Sequence, residues 1–532
     1  MIASSPAHET RSLHPALVFL VIFLSVFISH LWLLQLPYFW DEAGYYIPAA
    51  RDLLLTGSLI PHSTVSNAHP PLVMAYLALW WKIAGYTPLV TRSAMLLLAS
   101  FTLLTLFRLA ERVAHVQVAI ASTICTAIYP VFFAQSSLAH VDLVSAGLIF
   151  GGLHAHIEDR PAATSCWFSL AALAKETAIL APLGLLAWEL VCPLLRLKNA
   201  EATLCRNRGT VSTRRRIPSL LFPVLPLCLW FGYHYLRTGY VFGNPEFFRY
   251  NVQATLNPLR VLLALGLRLW QAFAYMQLGL LTLAMLFALW CSPLRDANGE
   301  RQKIPLTVQL LFLVLIATYV LAMSFVGGAM LARYLLPAVP LVIIINVSTL
   351  RRRVRYWAAV VVIVGLAFVV ALFVNPPYGF SIEDNLAYRD YIRLHENAEN
   401  FLEARYPMAR VLTAWPASDE LTRPYLGYVT RPMRVFRIED FSLEQVMSAA
   451  EVRSDFDVAL VFSTKYEPPH SVLDGWVAWQ RLKARFFGFH RDLPPAAAAQ
   501  ILGGRIVFDE QRHRQSVAVI LMERLEEARA VR

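Results

Sequence analysis

Apolar runs close to the length of a membrane span recur along the first 375 positions, and short polar stretches separate them. A helix needs about twenty apolar residues to cross a bilayer. The run from Leu13 to Leu36 meets that length. It is too long for a signal-peptide core and lacks a small-residue cleavage site, so it reads as a retained span. Two basic loops fix the orientation. Residues 196 to 216 carry seven Arg or Lys against Glu201, and residues 351 to 355 read Arg-Arg-Arg-Val-Arg. Both belong on the cytoplasmic side by the positive-inside rule.

Spans counted between these loops fall at 13–36, 92–110, 116–134, 143–157, 163–175, 177–195, 217–236, 305–325, 334–350 and 356–374. Residues 259–291 add an eleventh, read as a surface segment followed by one crossing. The parity places the N-terminus inside and the C-terminus outside. Loop 37–91 then lies outside and contains an amphipathic surface helix at 45–55. Its second apolar stretch, 71–86, is short for a span and reads as re-entrant or interfacial, because a full crossing would leave Arg108, Glu111 and Arg112 outside.

After Asn375-Pro376-Pro377 the pattern changes. Short β-branched runs at 410–414, 433–438, 457–462, 505–508 and 516–521 alternate with helical patterns at 383–404, 417–427, 442–451 and 473–486. Strands alternating with helices predict a small α/β layer domain, and no dinucleotide or P-loop signature occurs in it. The chain is therefore expected to fold as a polytopic helical membrane domain, 1–375, followed by an extracytoplasmic α/β domain, 376–532.

Composition supports this class. The 532 residues are 57% hydrophobic and 16% charged, less charge than a soluble protein of this size carries. The net charge of +11 (47 − 36) sits largely in loops, so it points to topology and excludes nucleic acid as the expected partner. The six cysteines show neither metal-ligand spacing nor a disulfide framework.

Under this topology the unusual polar residues share one side: Asp41, Glu42, His69, Arg92, Asp142, Lys175, Glu176 and Arg333. Each also has a plain structural reading. Asp41, Glu42 and Asp142 could cap helices, Arg92 and Arg333 could snorkel, Lys175 and Glu176 could pair, and His69 could mark a turn. Their collection on one side favours function. Two acids, Asp41 and Asp142, suit an acceptor hydroxyl or amine, one as base and one as orienter. Arginine and lysine at lipid-phosphate depth suit a phosphate-bearing lipid.

Six short stretches carry a resemblance. Trp40-Asp41-Glu42-Ala43-Gly44-Tyr45-Tyr46 with Ala49-Ala50-Arg51-Asp52, His69-Pro70-Pro71-Leu72, Thr91-Arg92-Ser93-Ala94, Asp142, Leu173-Ala174-Lys175-Glu176-Thr177, and Arg333-Tyr334-Leu335-Leu336-Pro337-Ala338 occur in that order. Over residues 13 to 350 the chain resembles the lipid-phosphate-dependent glycosyltransferases of the GT-C fold, which include protein O-mannosyltransferases and the lipid A aminoarabinose transferases. It departs from them at His69, where the lipid A enzymes have lysine, and at Glu176, where glycine is common. The C-terminal domain matches nothing in that family.

The resemblance implies an inverting transfer of a hexose or pentose from a polyprenyl-phosphate donor to an extracytoplasmic lipid, glycan or protein, in a bacterial inner membrane. It implies catalytic roles for Asp41, Glu42 and Asp142. Substrate binding would fall to Tyr45, Tyr46, His69, Arg92, Lys175, Glu176, Arg333 and Tyr334. No organic cofactor is implied; the acids could hold a divalent metal. The competing reading is a transporter or flippase of a lipid-linked sugar. That reading calls for inverted repeats and acids at the bilayer midplane, and the sequence shows neither.

Overall fold

The computed structural model describes residues 14–192, 210–245, 256–297, 299–326, 330–468 and 475–522. The basic loop expected at 196–216 falls mostly outside the described residues, as does most of the segment between Asn244 and Leu256.

Among the described residues, five helices are long and apolar enough to cross a membrane: Pro15–Leu33, Pro88–Val113, Arg215–Thr238, Pro258–Ala288 and Leu306–Phe325. A sixth crossing arises if Val116–Ile128 and Pro130–Ser137, bent by 68°, form one span. Pro130 supplies the break, because proline has no N–H to continue the ladder and suits the first turn of the next helix. Shorter apolar helices, Val141–Ile157, Pro161–Ala174, Leu180–Val191, Val339–Arg353 and Trp357–Phe373, fill the bundle. The chain is a multi-pass membrane protein.

Several breaks fall where the apolar pattern is interrupted. Loop 37–91 carries a π-helical turn at Glu42–Tyr46, the helix Ile47–Thr56 and the 13-residue helix Leu72–Ala84. The long run at 259–291 consists of Pro258–Phe273 and Leu278–Ala288, separated where Met276 and Gln277 take left-handed backbone angles. Asn257 caps the first of these, accepting from Leu259 N–H at 2.9 Å.

A small hairpin, β1 Arg295–Asp296 and β2 Gly299–Glu300, precedes Leu306–Phe325. The C-terminal part holds a five-stranded mixed sheet. Its strands are β3 Arg410–Ala414, β4 Arg434–Ile438, β5 Val458–Phe462, β6 Gly504–Arg512 and β7 Gln515–Met522, in the order β4-β3-β5-β7-β6. β3 runs parallel to β4 and β5, while β7 is antiparallel to β5 and β6. Every residue of β5 is buried, as expected for a central strand covered on both faces. Helix Ala387–Arg405 packs on β6 and β7.

The buried core is continuous from the bundle into the sheet through Phe380, Ile382, Tyr388 and Tyr391. Loop 37–91 joins the same contact. Tyr38 N–H donates to Leu426 C=O at 3.3 Å, and the Tyr428 hydroxyl donates to Tyr38 C=O at 3.0 Å. Arg423 donates to Ser63 C=O at 2.7 Å, and Arg51 lies 4.4 Å over the Tyr425 ring. The first loop is thereby pressed between the bundle and the sheet domain.

Candidate active site

Asp41 follows the first apolar helix by way of Trp40, whose φ of 44° is left-handed and strained for a bulky residue. The π-helical turn begins immediately after it. Such turns recur at functional sites, where they re-aim side chains. Gly44 lies within this turn, and a Cβ there would sit 2.6 Å from the Trp415 ring, so only glycine admits that approach.

Arg333 stands at the centre. It lies on a short 3-10 turn, Ala332–Leu335, ahead of Val339–Arg353. Two other buried arginines secure the chain leading to it. Arg260 donates to the carbonyls of Ser324, Phe325 and Val326, and Arg268 donates to Leu331 C=O at 2.8 Å. The Arg333 guanidinium then contacts acids from three segments: Asp41, Asp142 at 3.3 Å, and Glu383. One of its amino groups also lies 3.0 Å from His140 Nδ1. Arginine suits this position because its planar fork addresses several oxygens at once.

Lys175 completes the cluster, with its ammonium on Asp142 and 4.2 Å over the Tyr334 ring. His69 Nδ1 lies 2.7 Å from Glu176, and Tyr46 stands between the His69 and His140 rings, 5.8 Å from each. Tyr45 faces Trp415 at 5.9 Å. A cleft lined by Tyr45, Leu53, Val65, Met74 and Trp230 opens beside His69. Within the Arg333 cluster Asp41 is the acid with access. Its side chain is 20% exposed, against 3% for Asp142 and 4% for Glu383.

The plain readings of these residues separate cleanly. Asp41 makes no side-chain cap bond, so it is not a helix cap. Arg92 and Arg333 point into the protein and do not snorkel. Lys175 pairs with Asp142 and Glu176 pairs with His69, in place of the expected contact between sequence neighbours.

Two of the expected site residues are committed to contacts within the fold. Arg92 is fully buried and gives its donors to the carbonyls of Leu36, Pro37 and Ser137 and to both oxygens of Glu42. Glu42, equally buried, also accepts from Phe39 N–H at 2.9 Å and Ala139 N–H at 2.6 Å. With every strong donor spoken for, Arg92 has none left for a phosphate. Glu42 likewise presents no free oxygen to a substrate. The pair pins the first loop to the segment before Val141–Ile157.

Glu383 and Asp384 are site residues that the sequence pattern did not mark, since they were read into the start of a helix. They sit on a separate 3-10 turn, Ile382–Asp384. The available signal was an acid pair just beyond the last apolar helix, mirroring Asp41-Glu42 beyond the first. Burial pushes the Glu383 carboxyl up to about 8, against the pull of Arg333 and reinforced by Asp41, Asp384 and Asp142. Burial likewise raises Asp384 to about 7, opposed by the Tyr275 hydroxyl, which donates to it at 2.6 Å.

No protein-family model matches the chain, and no curated protein matches it in sequence. Solved structures do. The aminoarabinose transferase ArnT from Cupriavidus metallidurans, in its apo state, superposes with a TM-score of 0.51 at 13% identity, over 95% of this chain and 97% of that one. The same protein bound to undecaprenyl phosphate gives the same score, identity and coverage. The chain has the GT-C fold. At this identity the likeness extends to the fold alone, and the chemistry rests on the residues themselves.

Three groups, Asp41, His140 and Glu383, offer ligand atoms within 4.8 Å of one another. The Arg333 guanidinium already bonds all three. It takes the place a cation would occupy, so the cluster does not fit a metal as it stands, and no chemical step is assigned to one.

Proposed function

We propose that the protein is an integral-membrane glycosyltransferase that moves a sugar, a hexose or pentose, from a polyprenyl-phosphate donor to an extracytoplasmic acceptor, with inversion. The observation that carries this reading is the exposure of Asp41 on a buried charged cluster beside Lys175 and His69. The shared fold with an undecaprenyl-phosphate-binding protein supports it.

Asp41 is the general base. It takes the proton of the acceptor hydroxyl or amine as that atom attacks the anomeric carbon. The bond from that carbon to the phosphate oxygen breaks on the opposite face, and polyprenyl phosphate leaves. Arg333 holds Asp41 in place, and Asp142, held by Arg333 and Lys175, orients the acceptor or sugar. Lys175, over Tyr334, is the cation for the donor phosphate, which competes with Asp142 for it. His69 and Tyr45 line the cleft, and Tyr46 and Glu176 contact His69, so these four are the further substrate-binding residues of this reading. In this reading residues 1–375 form the catalytic membrane domain with eleven spans. Residues 376–532 form the extracytoplasmic domain, which supplies Glu383 to the site, and the membrane is the bacterial inner membrane.

The test is Asp41→Asn in purified, detergent-solubilised protein with labelled polyprenyl-phosphate sugar. The variant keeps the shape of the side chain and removes its basicity. Transfer is expected to fall by about 10²–10⁴-fold while donor still binds. Transfer at the wild-type rate would remove Asp41 from catalysis.

A further inference from the structure

A second buried cluster lies inside the C-terminal domain. His395 and Glu399 stand one turn apart on Ala387–Arg405, so both side chains face the same way. Glu420, on Ala417–Thr422, meets them from across the fold. His395 Nδ1 lies 2.7 Å from Glu420 and 3.6 Å from Glu399. Their three side chains are at most 1% exposed, and one ligand atom from each lies within 4.8 Å of the others.

The hydrogen-bond ledger of this cluster does not close. Among the described residues the only neighbours of the Glu399 oxygens are the Glu420 carboxyl and His395 Nδ1, and the second oxygen of Glu420 and Nε2 of His395 have no hydrogen-bond partner. The Tyr391 hydroxyl beside them is also unpaired and buried. Buried carboxylates without partners are rare and costly. Among the described residues no lysine or arginine pairs with Glu399 or Glu420. This contrasts with the Arg333 cluster, where a guanidinium fills the centre. A proton shared between the two carboxyls would satisfy one contact and leave the remaining oxygens and Nε2 unmet.

We propose that His395, Glu399 and Glu420 bind one divalent transition-metal ion, with zinc the ion that suits the set. One imidazole and two carboxylates are a borderline N/O donor set with room for a water as fourth ligand. Two ligands on a tetrahedral zinc lie roughly 3.3–3.6 Å apart, given bond lengths near 2.0–2.2 Å. The Nδ1-to-Glu399 separation already matches, and the shorter contact to Glu420 opens by a small side-chain rotation.

The ion would act at a distance on the candidate active site. Helix Ala387–Arg405 follows directly from Glu383, and Tyr391 stacks on His395 at 4.0 Å while its ring edges meet Phe39 and Trp40. Glu420 follows Trp415, which packs on Trp40 at 5.2 Å. Tying these two segments together sets the wall around Asp41.

The experiment measures metal content by mass spectrometry on full-length protein in detergent, with thermal unfolding before and after chelation and zinc addition. Wild type is expected to hold about one zinc per chain and to lose thermal stability on chelation, with recovery on re-addition. The Asp41→Asn/Glu383→Gln double variant, which disables the other candidate cluster, is expected to keep the ion, while Glu399→Gln and Glu420→Gln lose it. The proposal is overturned if wild type takes up no zinc and its unfolding ignores chelator. It is also overturned if the double variant loses the ion, or if Glu399→Gln retains it. Should the Glu399 and Glu420 variants fail to fold, the double variant's metal content and chelator response decide alone.

Discussion

Replacing Arg333 by alanine removes the cation that contacts Asp41, Asp142 and Glu383 together. The magnitude follows from burial. Asp142 and Glu383 are nearly inaccessible, so neither recovers water when its partner is lost. Breaking a buried ion pair costs about 3–5 kcal/mol, because it strands an uncompensated charge. Three pairs do not cost three times that, since they share one partner. The expected loss is therefore about 3–5 kcal/mol near pH 8, read as several degrees of melting temperature in detergent. At pH 5.5 the loss should shrink, because Glu383, whose carboxyl burial pushes up to about 8, is then protonated and strands no charge. Arg333→Lys should fall between, keeping the charge and losing the fork. An Arg333→Ala protein that melts with wild type at both pH values would refute the central role given to the guanidinium.

Arg92→Met should destabilise the protein by a similar amount, about 3–5 kcal/mol, because it strands Glu42 in a fully buried site. Glu42→Gln should show the same failing in thermal unfolding; variants that fold normally but lose only donor affinity would return both residues to substrate binding. Glu383 gives a pH signature. Its folded carboxyl titrates at about 8, above the ordinary value of 4.5, so its contribution to stability is fully present below about 4.5 and is lost as pH rises through about 8. Glu383→Gln cannot ionise, so its melting temperature should fall less than wild type between pH 5 and 8.5. Parallel slopes would show that Glu383 is ionised throughout.

The segments most legible in sequence are those whose pattern is local. Strand β3 occupies 410–414 as alternation and β-branching predict, and β4, β5, β6 and β7 overlap their expected runs. Helix Pro495–Leu502 escaped notice, because its alanine run has no period that separates a buried helix from a loop. At the site, residue type and membrane-edge position were enough to nominate Asp41, Asp142, Lys175 and Arg333, which the fold brings into one cluster. Those same signals nominated Arg92 and Glu42. Sequence shows that a charged group is present, but its remaining hydrogen-bond capacity depends on carbonyls at Leu36, Pro37 and Ser137 that only the fold brings near. Glu383 was hidden for the opposite reason: nothing local ties it to Arg333, and the connection is made in space, fifty positions away in the chain.

The two acid pairs divide their labour in the same way. After the first apolar helix, Glu42 turns inward to Arg92 while Asp41 reaches Arg333. After the last, Asp384 turns to Tyr275 while Glu383 reaches Arg333. In each pair one carboxylate fixes its own loop, and that anchoring holds the neighbouring carboxylate at the shared guanidinium. Free loops would pay a conformational cost of about 1–2 kcal/mol for each residue ordered, which contacts at Arg333 alone would struggle to offset. The anchoring acids lower that cost at the cluster itself, because Asp41 and Glu383 arrive already positioned. It follows that the sheet domain is part of the site's construction. Its first turn supplies Glu383, and its Tyr391 and Trp415 rings pack against Trp40, the strained residue that aims Asp41.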